Sequence, residues 1–184
     1  MTRTRSLALL AVFGLLLGCG ATRRPDGQVG LLPVGAPAPD VTGEDAAGNP
    51  VKLSDQKGKM AVVYFYPKDE TPGCTKQACA FRDAFDRLTK AGVVVFGVSR
   101  DSAKSHREFR KEHRLPFAMV PDESGDVQKA YGVPSKLIVM TARVTFLVDT
   151  DGKIAEVWPD VDPAVDAEHV LAAAAKLRPA GGAS

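Results

Sequence analysis

The stretch Ala61-Val-Val-Tyr-Phe-Tyr66, continued by Pro67-Lys-Asp-Glu-Thr71-Pro-Gly-Cys74, decides the fold. Its first six residues are strand formers without polar alternation, the pattern of a strand buried on both faces. A helical pattern follows from about Pro72 to Ala91. Ala78, Phe81, Phe85 and Leu88 recur there at the spacing of one helical face, and Gly92 ends it. Val93-Val-Val-Phe-Gly-Val98 predicts a second buried strand.

Outward from this unit the alternation continues. Ser102 caps a helix that runs to His113, a charged segment whose His106 and His113 are expected in solvent. Phe117 to Val120 reads as a third strand, and Val127 to Tyr131 as a short helix stopped by Gly132. Val144 to Val148 and Ile154 to Trp158 are strands joined by the turn Asp149-Thr-Asp-Gly152. Pro163 to Leu177 is a terminal helix with Val165, His169 or Val170, Ala173 and Leu177 facing inward. On the N-terminal side, Val41, Val51 and Leu53 around Gly48-Asn49-Pro50 predict a β-hairpin. The expected fold is α/β and thioredoxin-like, with a central mixed β-sheet flanked by helices and an N-terminal β-hairpin, spanning residues 34–178.

The loop before the long helix has unusual chemistry. Thr71 precedes a proline and is pushed to an extended backbone. An extended Thr followed by Pro marks a helix N-cap with proline at the first helical position, so Cys74 falls in the first turn. Unpaired N–H groups and the positive end of the helix dipole favour an anion there, and a thiolate is one. The Thr71 hydroxyl is expected to accept a first-turn N–H and to donate to the sulfur or to a bound oxygen. Cys79 lies five positions further on. On an ideal helix the two Cα atoms stand roughly 8–9 Å apart, beyond the ~7 Å a disulfide tolerates. Either Cys79 is inert or a disulfide requires the first turns to unwind.

The 184 residues suit one domain with a short appendage. Hydrophobic residues make up 45% and charged residues 25%, as in ordinary globular proteins. Three cysteines are too few for a disulfide-stapled scaffold. Thr2-Arg-Thr-Arg5 and the apolar run Leu7 to Leu17 form a signal-peptide pattern, too short to span a bilayer as a helix. Leu16-Leu-Gly-Cys19 resembles a bacterial lipobox. It implies removal of residues 1–18, acylation of Cys19 and attachment to a membrane of the cell envelope, facing the periplasm or exterior. An ordinary cleaved signal peptide is the rival reading. Residues 19–33 then read as a flexible tether, and residues 179–184 as a frayed tail. Loss of Arg3 and Arg5 leaves 22 basic against 22 acidic residues, a balance that gives no reason to expect a nucleic-acid partner. No glycine-rich phosphate loop and no zinc-ligand spacing is present, so neither metal nor cofactor is expected.

Pro67, Thr71 and Cys74 match the pattern Pro-x-x-x-Thr/Ser-x-x-Cys of peroxiredoxins. Phe65 to Thr75, with Ala78-Cys-Ala-Phe-Arg-Asp83, resembles the peroxiredoxin Q or bacterioferritin comigratory protein group. The likeness continues through Gly97-Val-Ser-Arg-Asp101, Leu115-Pro-Phe117, Tyr131-Gly-Val133 and Phe146-Leu-Val-Asp149. It implies a thiol peroxidase acting on hydrogen peroxide and organic hydroperoxides. Cys74 is then the peroxidatic thiol, Thr71 its hydrogen-bond partner and Pro67 the shield of the pocket. Arg143 is the active-site arginine, the N–H groups of Gly73 and Cys74 contact the peroxide, and Cys79 is the resolving cysteine. It further implies a thioredoxin-type dithiol reductant and a monomer. Residues 134–142 depart from the group by lacking a glycine ahead of Arg143. The alternative is an exported thioredoxin-like thiol-disulfide oxidoreductase, although such enzymes usually carry Cys-x-x-Cys rather than the Cys-x₄-Cys found here.

Overall fold

A computed structural model describes residues 21–136 and 140–177. The expected signal peptide, Cys19 and the tail at 179–184 lie outside the described residues. A seven-stranded mixed sheet forms the centre. Its middle strands are β3 (Met60–Phe65), β4 (Val93–Ser99) and β5 (Ala118–Pro121), which run parallel. β8 (Val144–Val148) pairs antiparallel with β3, and β9 (Ile154–Trp158) with β8. The hairpin of β1 (Thr42–Glu44) and β2 (Pro50–Lys52) extends the other edge. A separate small hairpin joins β6 (Ser135–Lys136) to β7 (Met140–Thr141) just before Arg143.

β3 is buried along its whole length because it serves two cores. Met60, Val62 and Tyr64 face one core, packed against α1 (Pro72–Asp83), α2 (Phe85–Lys90), α3 (Ala103–His113) and α5 (Asp166–Leu177). Ala61, Val63 and Phe65 face the other, with Leu32, Tyr131, Val133 and Phe146. Tyr64 stacks on Phe81 of α1 with ring centroids 4.6 Å apart, which fixes that helix over the strand. Burial of a ring such as Phe81 contributes about 1.5–3 kcal/mol.

Several expectations need correction. The helix predicted from Pro72 to Ala91 is interrupted at Ala84. Residues 21–33 are not a free tether. Leu32 N donates to Tyr131 O at 3.1 Å, and the Thr22 hydroxyl donates to Val133 O at 3.0 Å. Arg24, only 8% exposed, donates to the carbonyls of Gly30 and Leu31. The segment is a strap held down by hydrogen bonds that polar and turn-forming residues can make as readily as they make a loop. Gly132, two residues after α4 (Asp126–Ala130), sits under the strap at φ +71°, where an added Cβ would lie 1.9 Å from Gly30 O. The terminal helix expected from Pro163 begins at Asp166; on it Val170 and Ala173 are buried, but His169 faces out and Leu177 is exposed, as is Val165 just before it. Among the described residues no helix is long and apolar enough to cross a membrane.

Candidate active site

Thr71 adopts the extended backbone its proline neighbour dictates (φ −80°, ψ 144°) and is the N-cap of α1, with Pro72 at the first helical position. Its carbonyl accepts from Thr75 N at 2.9 Å, which closes the first turn. The hydroxyl departs from expectation. It caps no amide of the helix and instead donates to Lys68 O at 3.0 Å. The proton of Thr71 is thereby engaged, and its lone pairs are left for a donor. Pro67 follows β3 and is half-buried.

Cys74 stands in the first turn, 1% exposed, with a free thiol. Arg143 directly precedes β8. Its Nη2 lies 3.5 Å from Cys74 Sγ. Gly73 makes room for it: a Cβ there would come within 3.3 Å of Nη2. The sulfur therefore meets both a helix N-terminus and a guanidinium, two sources of positive potential.

Gln77 was not anticipated as a site residue. It lies one turn below Cys74, is fully buried, and accepts a hydrogen bond at Oε1 from Arg143 Nη1. Its Nε2 donates to Asp166 Oδ2 at 2.6 Å, and the Thr145 hydroxyl donates to the same oxygen at 2.8 Å. Burial pushes the Asp166 carboxyl above the usual range, only partly offset by the bonds from Gln77 and Thr145. The spacing of Gln77 with Cys74 and Phe81 on one helical face was the available signal, but a glutamine on a helix reads as surface.

The loop between β3 and α1 is pinned by Asp69. Asp69, 4% exposed, accepts from the hydroxyls of Tyr66 and Ser105 at 2.7 Å each and faces His106 Nδ1 at 3.0 Å. Its amide donates to Asp101 Oδ2 at 2.9 Å. Burial alone would raise the Asp69 carboxyl, yet the hydrogen bond and charge of His106, with Tyr66 and Ser105, hold it below the ordinary value. His106 is thus a core residue, 2% exposed, and not the solvent histidine expected. The adjacent Glu70 sits at φ +58°, a strained setting for a residue with a side chain, and bonds His113 Nε2 at 3.0 Å.

Cys79 is half-buried on the same unbroken helix as Cys74. Both thiols are free, in keeping with a Cα separation of about 8–9 Å across five helical residues. Arg82 lies near Cys79; its guanidinium pKa is raised first by Asp83 and further by that sulfur.

A thioredoxin-like sheet carrying a thiol at a Thr-capped helix start, with an arginine on the sulfur, defines the peroxiredoxin class. The chain belongs to the AhpC/TSA family, whose model matches residues 34–157, and falls in its peroxiredoxin Q/BCP group. It is 50% identical over 125 residues to a chloroplastic peroxiredoxin Q of Sedum lineare, covering 67% of each chain. A peroxiredoxin bcp of Coxiella burnetii is 46% identical over 136 residues, which cover 71% of this chain and 90% of that one. Against a solved structure of the Xanthomonas campestris bacterioferritin comigratory protein, the TM-score is 0.68 at 33% identity, covering 74% of this chain and 90% of the other. Several other plant relatives are longer, and the chain spans about 60% of their length.

Proposed function

We propose that the chain is a thiol peroxidase in which Cys74 reduces hydroperoxides and Cys79 resolves the product. The observation that carries this is Arg143 Nη2 at 3.5 Å from a sulfur in the first turn of α1. The Cys74 thiolate attacks the nearer oxygen of ROOH. The S–O bond forms as the O–O bond breaks, and the far oxygen departs with the electron pair and gains a proton to give ROH. Arg143 and the N–H groups of Gly73 and Cys74 stabilise charge growing on the oxygens, as fixed donors do in an oxyanion hole. Thr71, whose own proton is engaged by Lys68, accepts the peroxide O–H and sets its angle of approach. Pro67 screens the sulfur from water.

Cys74 is left as a sulfenic acid. The first turns of α1 open, the Cys79 thiol attacks that sulfur as the S–O bond breaks, and its proton joins the departing hydroxyl, which leaves as water while a disulfide forms. A thioredoxin-type dithiol returns both thiols by exchange. Organic hydroperoxides join hydrogen peroxide as substrates; alkyl peroxide reduction is attributed to the Xanthomonas relative. The enzyme works as a monomer, anchored through acylated Cys19 at a membrane of the cell envelope.

Mass spectrometry after one equivalent of hydrogen peroxide tests the central assignment and should place the oxygen, or the disulfide, on Cys74. Cys74→Ser should abolish turnover, and Cys79→Ser should allow a single oxidation without recycling. Full turnover by Cys74→Ser would end the proposal. Anchoring is tested separately, since Cys19→Ser should move the protein from the membrane fraction to the soluble one.

A further inference from the structure

Asp166, the first residue of α5, is wholly buried, and only one of its oxygens is used. Oδ2 accepts from Gln77 and Thr145, whereas Oδ1 is buried without a hydrogen-bond partner. A carboxylate left half-satisfied in a core costs stability, so packing does not explain its presence. Its position does. A guanidinium has only donors, so Gln77 must turn its oxygen to Arg143. The amide NH₂ then necessarily points the other way, into the core, where it needs an acceptor. Asp166 Oδ2 is that acceptor, at 2.6 Å. Were the amide reversed, its NH₂ would confront the guanidinium, and both contacts would be lost.

We propose that Asp166 is a positioning residue for peroxide reduction: it fixes the orientation of the Gln77 amide, and through it holds Arg143 on the Cys74 sulfur. The relay runs from the start of α5 through α1 to the residue before β8. Thr145 ties Asp166 to that same strand, two residues beyond Arg143. Every link is a hydrogen bond between side chains from different elements, so the guanidinium is located by the packing of α1 and α5 on β8 rather than by its own flexible stem. The inference rests on Cys74 being the peroxide-reactive thiol.

The test uses the full chain and pre-steady-state kinetics of Cys74 oxidation by hydrogen peroxide. Asp166→Leu and Asp166→Ala both remove the acceptor, so a folding failure of one leaves the other. Either should slow oxidation by about tenfold, the scale of lost outer-shell partners. Reduction of the disulfide by a dithiol should keep its rate. Asp166→Asn, whose carboxamide oxygen still accepts from Gln77, should restore most of the loss. In a Gln77→Leu background, Asp166→Leu should have no further effect, because the relay is already cut. An oxidation rate within twofold of the parent, the same loss in both backgrounds, or no rescue by Asp166→Asn would overturn the proposal. Failure of the underlying reading looks different: Cys74→Ser would then still turn over, whatever the Asp166 variants do.

Discussion

Arg143 makes two contacts with two nitrogens, one to Cys74 Sγ and one to Gln77 Oε1. A lysine carries one ammonium and cannot fork between them. Arg143→Lys should therefore lower the second-order rate with peroxide by about 100-fold, the usual scale for losing a preorganised donor, as read by stopped-flow fluorescence or competition kinetics. The buried carboxylates Asp69 and Asp166 behave oppositely with pH. The folded Asp69 pKa lies below its ordinary value, so its contribution is present above that ordinary value and fades as pH falls through the lowered one. Asp166 is raised, so its burial cost is greatest when ionised and is relieved as pH falls through the raised value. Urea melts should show Asp69→Asn destabilised by about 1–3 kcal/mol at neutral pH, with a flatter acid limb than the parent. How legible these residues were depends on distance along the chain. Thr71 and Cys74 are neighbours and follow from local cap chemistry. Arg143 lies 69 positions from Cys74 and was placed by family resemblance, since no local pattern aims it. His106 was misplaced because its helix is highly charged, yet His106, Phe109 and Arg110 share one buried face.

At the scale of the element, α1 carries a conflict between structure and reaction. Cys74 and Cys79 share one helix whose geometry keeps them too far apart to join. In the proposed cycle, closing a Cys74–Cys79 disulfide therefore requires about two turns of α1 to unwind. Hydrogen exchange should show amides across residues 74–80 losing protection when one equivalent of peroxide is added, while β3 and β4 stay protected. A Cys74–Cys79 disulfide formed with protection intact would contradict this. The break at Ala84 escaped the sequence for a physical reason. Its backbone (φ −89°, ψ −3°) remains near helical, its own amide still donates to Ala80 O, and its carbonyl accepts from Leu88 N. No glycine or proline marks the place, and the apolar spacing continues across it. The alternating strands and helices were legible because burial on both faces removes polar residues from β3 and β4.

For the whole molecule, the strap at residues 21–33 changes where the folded body begins. Its polar, turn-rich composition predicts a tether, and hydrogen bonds to Tyr131 and Val133 override that composition. Gly132→Ala should destabilise the protein by more than about 2 kcal/mol, seen as a lowered melting temperature, because its methyl would overlap Gly30 O. Deleting residues 1–30 should lower the melting point as well, while Cys74 keeps its reactivity towards peroxide in the folded fraction.

In the anchored form proposed above, the strap would also set the length of a leash. With Cys19 acylated, only Gly20 separates the lipid from the first strapped residue, and two extended residues reach about 7 Å. That is close to the depth of one headgroup layer, roughly 5–7 Å. The enzyme would ride with one cheek on the bilayer, and any protein that regenerates it would have to dock from the open half-space above.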